Sequence, residues 1–422
     1  MTTKGFGSCN ILIHSGWNRY NVGDVAHTPG LLRLLQTHVP EARVTVWMKS
    51  YPEWLGDYLA ARFPDVETFH GRLGGSHGAT DPAVERAFDD ADLFLFNSGP
   101  VFNHGHELIP GGPVRTKGWR GFDWNATMDP VAKLYYARSR DVPFGIFGQS
   151  FIHIAPPADL VLRDILSQAA FVSTRETESL SYLHELGVQA EDMGFTPDAA
   201  WAFDLRDDED VVPWLDELGL KEDGFLAMTT RYAPIGVDEG MDRQYQLRLF
   251  RQVVEDWTAS TGLPVLLIPE MASSIQLNRE LIYEPLPASL REQVIVDDRL
   301  WTPEERFWTP DQSLSVLARA RCYVNVDHHG VLQGMGGAGT PCVHPRQPQA
   351  GRKAQVLADV GLSEWLFDLY ADEPSAVSAV LRQIHEDLPA ARAKVQVAVE
   401  QVRGLHAERM RGIRRLLGLD SS

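Results

Sequence analysis

The segment Asp327-His328-His329-Gly330 follows the apolar run CYVNV. Two adjacent histidines beside a carboxylate can exchange protons near neutral pH. His329, with His328 and Asp327, is therefore a candidate general acid or base, against the plainer reading of a buried structural histidine. Arg175 and Arg231 also follow short apolar runs. A planar guanidinium there suits a carboxylate or phosphate, although Arg175 could instead pair with Glu176 or Glu178. Polar groups that could hold a hydroxyl-bearing ligand follow further runs: Asn21, Gly23 and Asp24; Asn97 and Ser98; Gly148-Gln149-Ser150; Asp198; and Glu270. For Asp24 the alternative is helix capping, shared with Thr28, and for Asp198 the start of a turn. The loop after Asn97 holds His104, His106 and Glu107 at no recognised metal spacing, and a local basic group, Arg115, Lys117 and Arg120. It reads as an exposed loop, and no metal is expected.

The elements that must position these residues are short β-rich runs alternating with amphipathic segments, the pattern of parallel sheets with crossover helices. Strands are expected at 10–14, 43–48, 66–69, 92–96, 144–147 and 171–173, then at 225–228, 265–268, 294–296, 322–326 and, as the last, 342–344. Helices are expected at 28–38, 53–63, 158–168, 177–187, 244–258 and 310–319, with a mostly helical stretch from Glu373 onward. The acidic stretch 204–223 interrupts the alternation and reads as a linker, part of it helical. The expected organisation is thus a first Rossmann-like domain over 1–203, the linker, and a second over 224–422 that ends in helices. Ligands on such sheets lie beyond the carboxyl ends of the strands, where the polar residues named above fall. Gly334 to Gly339 fits G-x-G-x-x-G but lies past the strand, and Asp359 falls within a later helix; it reads as a glycine-rich helix packed on the sheet.

Composition narrows the function classes. With 422 residues the chain exceeds one ordinary core, and 39 Lys+Arg against 57 Asp+Glu give a net charge of −18. Such a surface repels nucleic acid and anionic membranes, while a local basic pocket for a small anion stays compatible with it. Cys9, Cys322 and Cys342 form no CxxC pair, so neither a disulfide framework nor a structural zinc site is suggested. No run is long enough to span a membrane, the first residues lack a signal-peptide pattern, and the cytoplasm is the default location.

Taken in order, the motifs resemble the polysaccharide pyruvyl transferase family. The matching pieces are N-x-G-D at Asn21, Gly23 and Asp24; Gly148-Gln149-Ser150; Ser173, Arg175, Glu176 and Ser179 ahead of Leu186-Gly187-Val188; Pro197-Asp198-Ala199; Arg231; and His329 ahead of Gly339-Thr340-Pro341, with Lys353 where the family often has a lysine. The family commonly has an arginine just before the histidine; here the neighbours are Asp327 and His328.

The resemblance implies a glycosyltransferase-B-like (GT-B-like) pair of Rossmann-like domains. It also implies transfer of a pyruvyl-type group from phosphoenolpyruvate to a sugar hydroxyl, without a further cofactor. Arg175, Arg231, Lys353 and Gly339 would then face the donor. Asn21, Gly23, Asp24, Asn97, Ser98, Gln149, Ser150, Asp198 and Glu270 would face a carbohydrate-type acceptor. Rival readings are a nucleotide-sugar glycosyltransferase, a nicotinamide-dependent oxidoreductase resting on the glycine run, and a glycan-binding module. A homo-oligomer is compatible with all of them.

Overall fold

The computed structural model describes residues 9–15, 21–48, 53–74, 78–102, 124–152, 154, 156–234, 237–296, 308–348 and 352–419. The segment 16–20 and the loop bearing His104, His106, Glu107, Arg115, Lys117 and Arg120 lie outside the described residues.

Two parallel sheets organise the chain. The first contains β1 (Cys9–Ser15), β2 (Ala42–Met48), β3 (Glu67–Phe69), β4 (Leu93–Phe96), β5 (Gly99–Phe102), β6 (Phe144–Phe151), β7 (Phe171–Thr174) and β8 (Met193–Phe195). Its order is β3-β2-β1-β4-β6-β7-β8, with β5 paired to β6. The second contains β9 (Leu226–Thr229), β10 (Val265–Leu267), β11 (Val294–Val296), β12 (Cys322–Asn325), β13 (Cys342–Arg346) and β14 (Leu366–Asp368), in the order β11-β10-β9-β12-β13-β14. Strands such as LFLF in β4 and LAMT in β9 are buried at every position, because helices cover both faces. Each sheet grows outward from its first strand and then resumes on that strand's other side. The chain therefore diverges between β1 and β4 and between β9 and β12, opening a crevice at the carboxyl ends. The α/β class with two Rossmann-like sheets is as expected from sequence.

Several local features differ from expectation. Gly148-Gln149-Ser150 is not a turn but the continuation of β6; Gly148 takes a positive φ of 60°, and the pairing with β7 shifts register between Ile146 and Gln149, so the strand kinks and carries on. Strands β5, β8 and β14 were not anticipated, and β14 lies beyond the strand expected to be last. The first crossover helix begins at Val22, six residues before Thr28, because the Asn21 side chain caps it by accepting from the Asp24 amide; Pro29 lies inside it. The acidic stretch after Asp204 is partly helical, as expected: it contains the helix Asp208–Glu217, whose Val211, Trp214 and Leu215 enter the core of the second sheet.

Two devices hold the halves together. The short turn Ala199–Ala202 lies between them: Ala199 packs with the core of the first half and Trp201 with that of the second. Gly336 allows this, since a Cβ there would come within 2.2 Å of the Trp201 carbonyl oxygen. The final helix, Leu388–Leu416, starts on the second core and ends on the first, burying Met410 and Ile413 there. Arg409 forks onto Asp192 at 2.5 and 3.0 Å, and Arg414 onto Glu41 at 2.9 and 3.2 Å, fixing the end of this strap.

Candidate functional site

Helices Val22–His38, Thr177–Leu186 and His328–Gly336 begin just after β1, β7 and β12. Their amino-terminal ends carry the positive ends of the helix dipoles, with the Val22 and Gly330 amides taken up by Glu270 and the Thr177 amide by Asp359. The junction is tight. A Cβ on Gly23 would come 2.1 Å from the His329 Cβ, so only glycine lets the first helix approach the third. The Val22 amide donates to the Glu270 carbonyl at 2.9 Å, adding a backbone bond between the halves.

His329, in the first turn of its helix, is the hub. Its Nε2 lies 3.3 Å from Arg175 Nη1, and its Nδ1 lies 3.6 Å from Asp24 Oδ1 and 3.8 Å from Glu270 Oε1. The guanidinium can only donate, so Nε2 accepts and Nδ1–H faces the two carboxyl groups. The His27 ring stands edge-on to His329 at 4.5 Å, and the His328 ring lies 3.9 Å away. Burial, together with the charges of His328, His27 and Arg175, pushes the His329 pKa well below its ordinary value. His328 is likewise pushed down, by burial and then by Lys353 and Arg175. Both imidazoles are neutral at pH 7.

Arg175 is buried, and its Nε donates to Ser150 Oγ at 2.6 Å. Its Nη1 donates to Asp198 Oδ2 at 2.5 Å, while Glu176 stands off at 3.9 Å. The partner is thus Asp198 rather than either glutamate considered from the sequence. Nη2 has no hydrogen-bond partner. Asp198 also accepts from the Ala200 amide and bonds His27 Nδ1 at 2.7 Å. Burial raises the Asp198 pKa, but His27 and Arg175 outweigh it and hold the carboxylate well below its usual range. Glu176, whose charge is opposed by burial, is pushed up to about 7 despite Arg175 and Ser179.

From the second half, Arg231 Nη1 meets Asp327 Oδ1 at 2.5 Å. Burial acts against the Asp327 charge, yet Arg231, Lys353 and His329 keep it ionised. Glu270 Oε2 accepts from Asn325 Nδ2 at 2.6 Å and from the Gly330 amide at 2.9 Å, whereas Oε1 lacks a partner. Burial, then the charge of Asp327, raises its pKa well above the usual carboxylate value. Asp24 is raised too, chiefly by burial. Lys353 is buried within the field of Arg231, Asp327, Arg175 and Asp24. Burial, then Arg231, brings its pKa down to about 8. Arg175, Arg231 and Lys353 therefore crowd one volume.

The remaining sequence candidates divide. Asn21 is the helix cap. Gln149 is fully buried, donates to the Asn97 carbonyl and accepts from the Val101 amide at 3.3 Å; Asn97 bonds Thr28 at 3.2 Å and the Ser98 amide at 2.7 Å. These groups are spent on the frame under the crevice. Ser150 acts through Arg175. Gly339 is not brought to the site: it takes a φ of 70° beyond the carboxyl end of the helix that His328 begins. For the same reason the glycine run cannot cradle a pyrophosphate, which needs the amino-terminal end. His27 was missed. Once the helix is extended back to Asn21, it falls one turn after Asp24 and would have been found. His344, which bonds the Asn325 carbonyl at 2.6 Å and is brought down to about 4 by burial, was missed as well.

Asp24 with His27 and His329, Asp198 with His328 and His329, and Glu270 with Asp327 and His329 each place metal-ligand atoms within 4.8 Å of one another. A cation on His329 Nδ1 would need Nε2 protonated, setting its N–H against an Arg175 N–H. The donors thus favour proton exchange over coordination. No helix among the described residues is long and apolar enough to cross a membrane.

Fold and site define a two-domain, GT-B-like transferase. The sequence model of the polysaccharide pyruvyl transferase family matches residues 21–344, and the chain belongs to that family. No curated protein sequence matches it. Among solved structures it is similar to S. aureus MnaA with UDP (TM-score 0.58, 12% identity, 98% of each chain covered). It is also similar to a UDP-N-acetylglucosamine 2-epimerase (0.57, 13%, 99% of this chain and 98% of that one). A third is Anabaena HepE with UDP-glucose (0.57, 11%, 97% and 100%). At these identities the likeness is one of fold.

Proposed function

We propose that the crevice binds phosphoenolpyruvate and transfers its enolpyruvyl carbon skeleton to a carbohydrate hydroxyl, without a metal. The observation that carries this reading is the convergence of Arg175, Arg231 and Lys353 around a neutral His329 flanked by two carboxyl groups of raised pKa. A small polyanion offsets the mutual repulsion of the three cations, and the unpartnered Arg175 Nη2 offers it a buried donor. In place of the family's arginine before the histidine, Lys353 and Arg231 supply the charge beside Asp327.

Burial, with His328, His27 and Arg175 beside it, holds His329 neutral. Once a bound dianion lies against it, the imidazole gains basicity and takes a solvent-derived proton at Nε2, keeping Nδ1–H toward Asp24 and Glu270. As the acceptor hydroxyl adds to the donor carbon and gives its proton to Asp24, the imidazolium protonates the methylene to a methyl; a second acceptor hydroxyl then displaces phosphate and closes the ketal. Asp24, the more exposed of the carboxyl groups around His329, orients the acceptor, and Asn21 acts by capping the helix that carries it. A second reading, a nucleotide-sugar donor, is favoured by the UDP and UDP-glucose complexes of the fold neighbours.

The test is phosphate release from phosphoenolpyruvate in the presence of candidate sugar acceptors, run beside release of nucleoside diphosphate from nucleotide sugars. The expected outcome is acceptor-dependent phosphate release that falls about 10²–10⁴-fold in His329→Ala. Nucleotide-sugar turnover without phosphoenolpyruvate consumption selects the second reading.

A further inference from the structure

A cavity of about 520 Å³ lies behind the crevice, within the size range of small-molecule sites. Its walls are the far ends of the elements whose near ends build the candidate site. Arg33 and His38 come from the helix that begins with Gly23 and Asp24; Trp201 lies three residues after Asp198; and Gly336 ends the helix that His328 begins. The fourth wall is the final helix, whose His406 lines the cavity and bonds the Pro197 carbonyl at 2.9 Å.

Three observations point to a ligand. First, the charge is inverted relative to the chain as a whole. Arg33 and Arg403 line the cavity against one acid, Asp204, and that acid is held by Arg33 at 2.7 and 3.0 Å, which leaves Arg403 as the positive charge. Second, the lining is mostly apolar, with Trp201, 3% exposed, beside Leu34 and Val402, and the buried Trp201 indole N–H has no hydrogen-bond partner. Third, Gly404 sits inside the final helix, where glycine costs about 0.5–1 kcal/mol relative to alanine. A Cβ there would meet nothing within 4 Å, so packing does not require the glycine, and its absent side chain keeps the wall open.

We infer that this cavity is a second ligand site, separate from the crevice, for an organic anion with an apolar body. The apolar walls take the body, and Arg403 takes the charge.

The probe is anilinonaphthalenesulfonate, a fluorescent organic anion of this class, titrated into the full chain. Saturable binding to one site is expected. Gly404→Phe, which fills the space, should weaken it at least tenfold. Arg403→Glu, an exposed change that leaves the packing alone, should weaken it about tenfold, with a loss that shrinks as salt is added. Lys353→Met, a change in the crevice, should leave the affinity unaltered. Absence of saturable binding, binding that survives both Gly404→Phe and Arg403→Glu, or binding lost in Lys353→Met would each overturn the assignment. None of these outcomes depends on the identity of the donor in the crevice.

Discussion

The two faces of the crevice differ in how their buried polar groups are satisfied. On the first half, Asn97, Gln149, Ser150 and Asp198 are bonded to one another, to backbone or to Arg175. On the second half, Glu270 Oε1, both ring nitrogens of His328, His329 Nδ1 and both amide atoms of Gln333 are buried without hydrogen-bond partners. Leaving a buried polar group unmade costs about 1–3 kcal/mol. The first face is therefore mostly bonded, with Arg175 Nη2 and His27 Nε2 as its unpartnered atoms, whereas the second leaves more of its buried polar groups unmade. Pre-organised but unsatisfied groups gain their interactions as charge develops in the reaction, which is where they lower a barrier.

The contrast can be broken most forcefully at Asp198. Asp198→Ala strips Arg175 of its carboxylate and leaves a buried, uncompensated charge, so chemical denaturation should show a loss of about 3–5 kcal/mol. A loss below about 1 kcal/mol would mean that the first face is not the rigid partner. Next comes Gly23→Ala at the seam. The added methyl overlaps His329, and the expected cost is about 1–3 kcal/mol by thermal or urea unfolding, together with reduced turnover.

Lys353 sharpens the account of the second face through pH. Its charged form binds the donor anion, so kcat/KM should be full below about 8 and fall up to tenfold per pH unit above it. The folded-state pKa is lowered from its unfolded value, so the unfolded chain binds more protons between about 8 and 10.5, and stability should rise with pH across that window. Activity and stability thus move in opposite directions, and Lys353→Met should flatten both slopes. A wild-type rate profile with no limb near 8 would remove Lys353 from donor binding. The smallest effect belongs to Gln333→Leu. Replacing an unsatisfied buried amide with a similar apolar shape should be neutral or raise stability by about 1 kcal/mol, visible as a shift in urea midpoint.

Much of the frame was legible because apolar runs report buried parallel strands directly. Both sheets, the crevice and the segments that line it followed from that pattern. Strands of three or four residues such as β8 and β14 carry too few side chains to stand out from loops. The continuation of β6 through Gly148 was hidden because a glycine followed by polar residues looks like a turn when the kink is invisible. The site's residue types were legible, but their pairings were not. Arg175 sits beside Glu176 in the chain yet bonds Asp198, and His27 was lost when the helix was started at Thr28. Such pairings are decided by how the strand ends are brought together, which local periodicity does not encode.

The central claim is that His329 delivers a solvent-exchangeable proton to the methylene of an enolpyruvyl donor. The direct measurement is turnover in deuterium oxide followed by mass spectrometry and proton NMR of the product. One deuterium in the transferred group's new methyl is predicted. A product whose methyl carries no deuterium, or which contains no pyruvyl-derived carbon, would contradict it.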